Sequence, residues 1–167
     1  MSKSQVNTPT PTPTPPPAPP RVSRLKSVSR IRNPNAYVLG LENEYAQWAF
    51  SELRGPDYRG QWRNLVFKSE TQSPLDVEIG TGNGFFFAHQ AQSHPERHLV
   101  GLEIKFKPLI QTIRRALKNG STNARVVRFH AFEMAQLFEP AEIDNIYVHF
   151  PDPWVEPLRP KRRLINQ

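Results

Sequence analysis

Residues 75–84, with the sequence LDVEIGTGNG, constrain the fold more than any other stretch of this chain. The first five residues contain Val and Ile and stand between proline and glycine, which is typical of a buried strand. Glycine then occupies every second position, at Gly80, Gly82 and Gly84, before a helix-compatible run over 85–92. Glycines permit a tight turn and let a ligand reach bare backbone, and a helix start offers unpaired N–H groups. The stretch predicts a strand–turn–helix unit that binds a nucleotide-like ligand where the strand ends.

Two acids flank this turn in the sequence. The glycine spacing is G-x-G-x-G, not the G-x-G-x-x-G of dinucleotide sites, and Glu78 lies two residues before the first glycine. Glu103 ends the next strand-like run, 19 residues after Gly84. An acid at this spacing and at a second strand tip is typical of a contact to ribose hydroxyls. Two alternatives stay open: a turn that only connects strand to helix, and a Glu103 that is only a solvated strand end.

Composition narrows the class of protein. The chain has 167 residues, enough for one domain with a core, and it lacks cysteine, which excludes disulfides and thiolate metal sites. No apolar run approaches the roughly 20 residues of a membrane span, and the first residues contain no apolar segment of a secretory signal. We therefore expect a cytoplasmic protein without membrane contact, and a monomer.

The first 33 residues differ from the rest. Residues 1–20 contain eight prolines, most alternating with threonine, and such a segment forms neither a helix nor a sheet ladder. Residues 1–41 carry six Lys and Arg side chains and no acid, so most of the formal net charge of +7 lies there. We predict a disordered, Pro-rich and basic arm over 1–33, followed by a partial domain over 34–167. The arm either binds RNA phosphates or is a solubilising linker, and its prolines could also bind a proline-recognition module.

Beyond the arm, the sequence predicts an α/β domain. Apolar periodicity indicates a helix over 41–53. We also predict an extended segment over 62–67 whose aromatic side chains pack in the core. From residue 75 the pattern predicts strands over 75–80, 98–104, 125–129 and 143–150, with helices over 85–92, 107–119 and 132–138. This alternation implies a Rossmann-like sheet of about four parallel strands, in which the strand over 75–80 is central and the strand over 143–150 lies beside it. The tips of these two strands flank the crevice where ligands bind.

The last predicted strand leads into HFPDPW, residues 149–154, with KRRL following at 161–164. Prolines bracket Asp152 and fix the backbone on both sides, so its carboxylate is held near a strand tip. Trp154 could stack on a base or cap the core, and the cations Lys161, Arg162 and Arg163 could meet phosphates. The alternative is a proline-rich loop with a solvated aspartate. No metal is required, and no His, Asp or Glu cluster has ligand spacing.

These segments together resemble the tRNA (guanine-N7-)-methyltransferase family over roughly residues 70–165. The E-x-G-x-G-x-G run is similar to motif I of methyltransferases that use S-adenosylmethionine, and the F-P-D-P-W box with K-R-R is the more specific likeness. The resemblance implies a class I methyltransferase fold and methyl transfer from S-adenosylmethionine to N7 of a guanine in the tRNA variable loop. It implies that Glu78, Gly80, Gly82, Gly84 and Glu103 bind the cofactor. It also implies that Asp152 is catalytic and contacts tRNA together with Lys161, Arg162 and Arg163.

The chain departs from the family pattern in three places. His130 stands where the family has an acidic or amide residue beside adenine, and Glu156 stands where it has cations. The family fold also continues with further strands, so we expect a truncated sheet whose last strand is an exposed edge. A truncated, non-catalytic nucleotide- or RNA-binding remnant is therefore an alternative to an active methyltransferase. A nicotinamide-dependent dehydrogenase fits less well because of the glycine spacing and the D-P-W box.

Overall fold

The computed structural model describes residues 25–69 and 72–149. Its helices and strands are α1 (Ala36–Glu42), β1 (Ala49–Phe50), β2 (Leu75–Ile79), α2 (Phe85–Ser93), β3 (His98–Glu103), α3 (Phe106–Lys118), β4 (Ala124–Arg128) and β5 (Asn145–Val148). Single helical turns lie at Val28–Arg30, Gly55–Tyr58, Trp62–Val66 and Ala131–Gln136. No helix in this part of the chain is both long and apolar enough to cross a membrane.

The five strands form one sheet in the order β1-β4-β3-β2-β5, and all neighbours are parallel. The register aligns Ile79 of β2 with Leu102 of β3 and with Val148 of β5. Three strands therefore end at the same edge, which we call the carboxyl edge, and the glycine turn follows the central one. The predicted α/β Rossmann-like fold is confirmed, and so is the prediction that β5 lies beside β2 on the side away from β3. Strand β2 is an interior strand, and β3 is the middle one of the five.

The sheet has one strand more than the four predicted. Strand β1 lies inside the segment that was predicted as a helix over 41–53, and that prediction is wrong because α1 ends at Glu42. Ala49 and Phe50 are buried and pair with Val126 and Val127 of β4. Pairing with a buried neighbouring strand here outweighs the local 3.6-residue periodicity on which the prediction relied.

Each face of the sheet has its own apolar core. Helices α1, α2 and α3 cover one face around Leu41, Phe87, Ile110 and similar side chains. The helical turns cover the other face, where Trp62 is fully buried and its Nε1 donates to the Leu137 carbonyl at 2.8 Å. The segment over 62–67 is thus helical at Trp62–Val66, not extended as predicted. The prediction that its aromatic residues pack in the core is confirmed for Trp62.

Part of the predicted arm lies against the domain. The Val28 N–H donates to Glu52 at 2.6 Å, and Arg128 donates to the Lys26 carbonyl at 3.2 Å. Glu52 and Arg128 form a buried ion pair at 2.6 Å, which joins these two contacts. Contacts with the domain therefore begin before the predicted boundary at residue 34. Residues 1–24 lie outside the described residues, so the disorder predicted for them stays a prediction.

Candidate functional site

The glycine turn after β2 has the backbone that its sequence predicts. Gly80, Gly82 and Gly84 all have positive φ, at +75°, +53° and +74°, a region that favours glycine. The N–H groups of Gly80 and Thr81 donate to the carbonyl of Leu102 at 2.8 and 3.3 Å. The turn therefore bends over the end of β3, which brings it close to the second predicted acid.

The three glycines meet different surroundings. A Cβ atom added at Gly80 or Gly82 would have no heavy atom of the described residues within 4 Å apart from its chain neighbours, so the backbone there is open to a ligand. A Cβ at Gly84 would lie 2.5 Å from Cα of Thr112 in α3, so this glycine lets α2 and α3 approach closely. The structure thus explains Gly84 by helix packing, and its contact with a cofactor stays a prediction.

A cavity of about 410 Å³ opens at the carboxyl edge. This volume falls within the roughly 300–1,000 Å³ of small-molecule sites. Its polar wall includes Gly80, Gly82, Glu103, His130 and His149. Its apolar wall includes Ile79, Leu102, Ile104, Phe129 and Phe132. The cavity combines bare backbone, one carboxylate and a broad apolar surface, which suits a ligand with a polar chain and a flat ring.

Glu103 joins the glycine turn to the end of β3. Its Oε2 accepts from the Gly82 N–H at 3.2 Å. Its Oε1 accepts from the N–H groups of Ile104 and Lys105 at 2.8 and 2.9 Å. A carboxylate has roughly four acceptor positions, so the described residues use three of them. The carboxylate is held in a fixed orientation, and it retains acceptor capacity for a hydroxyl group in the cavity.

The two acids of β2 have opposite surroundings. Asp76 is buried and accepts hydrogen bonds from Nε and Nη2 of Arg97, each at 2.6 Å, and further hydrogen bonds from Asn145 and Tyr147. Burial acts to raise the pKa of Asp76, but these hydrogen bonds, chiefly from Arg97, hold it below its usual value. Glu78 is equally buried, its Oε2 has no hydrogen-bond partner among the described residues, and burial raises its pKa to about 7. Asp76 is therefore a structural acid, whereas Glu78 lacks a comparable partner.

Glu78 does not line the cavity, although sequence reasoning placed it with the glycines. It lies opposite Gly101 and Tyr147 in the sheet register, on the face covered by the helices. Asp76 and Glu78 share this face because alternate residues of a strand point the same way. The cofactor role predicted for Glu78 stays a prediction, and its burial instead has a consequence for stability.

We expect folding stability to decrease as pH rises from about 4.5 to 7 because of Glu78. The folded state keeps its proton up to a pKa of about 7, and the unfolded state releases it near 4.5, so the folded state binds more protons in this window. The linked loss is about 3 kcal/mol, since one pKa unit corresponds to about 1.4 kcal/mol. Denaturant unfolding at pH 5 and pH 8 checks this. The free energy of unfolding of Glu78→Gln, relative to that of the parent chain, should be about 2–3 kcal/mol higher at pH 8 than at pH 5. An equal difference at both pH values would contradict it.

His130 lies in the cavity wall at the position where the chain departs from the family pattern. Its Nδ1 accepts from the Phe132 N–H at 3.3 Å, and the two rings stack with centroids 5.1 Å apart. Because Nδ1 is an acceptor, the neutral imidazole carries its proton on Nε2. His130 therefore offers a donor where an acidic residue would offer an acceptor.

Sequence reasoning missed His149 as a cavity residue. It follows β5 directly, and its ring lies 4.0 Å from that of Phe86. Its place at the tip of the strand beside β2 was the signal that could have identified it. The predicted site residues Asp152, Lys161, Arg162 and Arg163 lie outside the described residues. Of the predicted set, the structure thus brings together Gly80, Gly82 and Glu103.

Comparisons with known proteins agree with this geometry. A protein family described as "Putative methyltransferase" matches residues 72–167. The tRNA (guanine-N(7)-)-methyltransferase of Bdellovibrio bacteriovorus is 57% identical over 127 residues, 76% of this chain and 61% of that protein. Proteins with the same name are 36% identical over 66% of this chain in Listeria monocytogenes and 31% identical over 65% in Bacillus subtilis, covering 50% and 49% of those proteins. The chain thus spans about half to three-fifths of the length of these curated relatives.

Proposed function

Because this chain belongs to the methyltransferase family that matches residues 72–167, we propose that it transfers a methyl group from S-adenosylmethionine to N7 of guanine in the tRNA variable loop. The observation that carries the proposal is the Gly82–Glu103 hydrogen bond in the wall of the carboxyl-edge cavity. This hydrogen bond joins the glycine turn to an acid of the kind that contacts ribose hydroxyls. Both lie at the edge of the parallel sheet where the strand order reverses, which is where such folds bind nucleotides. The names of the relatives supply the tRNA and the N7 position.

The residues of the cavity fit this cofactor. The open backbone at Gly80 and Gly82 would hold its methionine part, and Glu103 would accept from ribose hydroxyls. The apolar side chains of Leu102 and Phe129 offer a surface for a flat adenine ring, and His130 could donate to one of its nitrogens. Glu103 would add hydroxyl contacts to the backbone contacts it already makes, so it is both a support of the turn and a binding group.

The reaction needs little acid–base chemistry. When bound, S-adenosylmethionine supplies a methyl group that its sulfonium has already activated. Guanine N7 carries an exposed lone pair, so the protein has mainly to align the base with the methyl carbon and to exclude misaligned poses. Asp152 would orient the guanine by accepting from one of its N–H groups, and the basic residues at 161–163 would meet tRNA phosphates.

The first test concerns Glu103. Glu103→Ala should weaken binding of S-adenosylhomocysteine, the demethylated product, by roughly 1–3 kcal/mol, the scale of hydrogen bonds to a charged group. Isothermal calorimetry measures this, with Glu96→Ala as a control because Glu96 is an exposed acid outside the cavity wall. An unchanged affinity for Glu103→Ala would refute the ribose assignment.

The second test concerns the basic arm. Deleting residues 1–24 removes Lys3, Arg21 and Arg24 and leaves the segment that contacts Glu52 and Arg128. We expect weaker tRNA binding and a flatter salt dependence, because each lost phosphate contact reduces the log–log slope by about 0.7 for single strands and 0.9 for duplexes. Filter binding at several salt concentrations measures the slope. The same slope with and without the arm would show that it does not touch RNA.

A further inference from the structure

A second cavity lies away from the carboxyl edge and shares no lining residue with the first. It measures about 280 Å³, and three cations line it: Arg54, Lys68 and Arg125. Among the described residues in its wall, none is acidic. Arg125 is the second residue of β4, near the end of the sheet opposite the glycine turn. A cavity with three positive side chains and no carboxylate favours an anion.

Arg125 is the buried member of this group, with 7% of its surface exposed. Its guanidinium donates to the backbone carbonyls of Thr122, Ala124 and Val66 at 2.8 to 3.3 Å. Its Nε has no hydrogen-bond partner, and within the described part of the chain no acid pairs with it. Burial lowers the pKa of Arg125 to about 10. Its guanidinium also lies over the Phe67 ring, 4.9 Å from the centroid. A buried cation that is surrounded only by neutral carbonyls and an aromatic ring is costly, and a bound anion would compensate its charge.

The other two cations of this wall, Arg54 and Lys68, are less buried than Arg125. The Arg54 guanidinium lies over the Phe50 ring at 4.9 Å and donates to the Ala46 carbonyl at 3.0 Å. Lys68 is exposed and has a φ of +53°, a left-handed backbone that is costly for a side chain with a Cβ. Such strain is often found where a residue is held for binding.

We propose that this second cavity binds the phosphate of a nucleotide unit, with Arg54, Lys68 and Arg125 as its ligands. Guanidinium groups suit phosphate oxygens because their N–H groups match them in geometry. Half-buried Tyr58 in the same wall is the aromatic side chain that suits an adjoining base, because Arg54 covers Phe50, and His98 and Arg125 contact the Phe67 ring. The phosphate belongs either to a free mononucleotide or to an RNA strand. The site does not depend on methyl transfer, since the two cavities have no residue in common.

Calorimetry on the full chain at low salt tests the site, with inorganic phosphate and AMP as probes. Arg54→Ala and Lys68→Ala should each weaken both probes roughly tenfold, the effect of one charge-assisted hydrogen bond. Lys118→Ala removes the same charge from the exposed end of α3 and should change neither affinity. Arg125→Met should abolish binding of both probes. Because it also removes hydrogen bonds to the Thr122, Ala124 and Val66 carbonyls, a melting curve checks that the variant is folded under the binding conditions. AMP should bind equally well when saturating S-adenosylhomocysteine occupies the carboxyl-edge cavity, which separates the two sites because they share no lining residue.

Several results would overturn the proposal. One is the failure of both probes to bind the parent chain, and another is an equal loss of binding in Lys118→Ala. If the probes bind as expected, competition with bulk tRNA shows whether the phosphate that the cavity binds belongs to RNA or to a free nucleotide. Displacement of AMP by tRNA identifies RNA, and its absence identifies a free nucleotide.

Discussion

Replacing Asp152 by Asn is expected to slow methyl transfer to tRNA by about 10²–10³-fold and to leave the melting temperature unchanged. The side chains have nearly the same shape, but the amide would present a donor where, in the proposed mechanism, the carboxylate accepts from a guanine N–H. Loss of one contact that forms in the transition state has an effect of this size. The flanking prolines fix the backbone whatever the side chain, and such surface-type substitutions usually change stability by about 0.5 kcal/mol or less.

The position of Asp152 in the chain supports this expectation. It is three residues after His149, which lies in the cavity wall. We therefore expect Asp152 to act at the carboxyl edge, since three residues of chain reach at most about 10 Å. Initial rates and melting curves test the role together, with Glu156→Gln as a control that removes the same charge four positions further along the chain. A parent-like rate for Asp152→Asn would exclude a catalytic role, and a large fall in melting temperature would show a structural one.

Replacing Gly84 by Ala is expected to destabilise the fold by about 2–5 kcal/mol. The added Cβ would lie 2.5 Å from the Thr112 Cα and 2.6 Å from its Oγ1, and the first of these atoms is backbone that cannot rotate away. Overpacking of this kind costs roughly 1–3 kcal/mol. The left-handed backbone at φ +74° adds roughly 1–2 kcal/mol for a residue with a Cβ.

Gly120→Ala provides the matched control for Gly84→Ala. Gly120 has a φ of +80°, and a Cβ there would meet no atom within 4 Å, so only the backbone strain remains. Urea unfolding should show the smaller loss, about 1–2 kcal/mol, for this variant. Equal losses for both variants would mean that the contact between α2 and α3 does not depend on Gly84.

Strands β2 to β5 were predictable because each is a short apolar run bounded by turn residues, and because helical runs separate them. Strand β1 was not, since two residues carry no periodicity and their place is decided by pairing with β4. The number of strands was therefore predicted incorrectly, because β1 is determined by contacts with residues that are distant in sequence.

The functional site was likewise predictable only in part. The spacing of the glycines and of Glu103 predicted their meeting at the carboxyl edge, because parallel strands of similar length end together. The sequence could not separate Asp76 from Glu78, since the difference lies in Arg97, Asn145 and Tyr147, which reach only the first of them. The second cavity could not be predicted from the sequence either, because its wall combines β4 with two earlier segments of the chain.

The most direct test of the proposed function is to incubate the chain with methyl-labelled S-adenosylmethionine and bulk tRNA, digest the RNA and separate its nucleosides. We predict label in 7-methylguanosine, and a strong reduction of this label in Glu103→Ala. Label in another nucleoside would contradict the assignment of guanine N7. Binding of S-adenosylhomocysteine without transfer of label to any nucleoside would contradict the enzymatic account and support a non-catalytic binding protein.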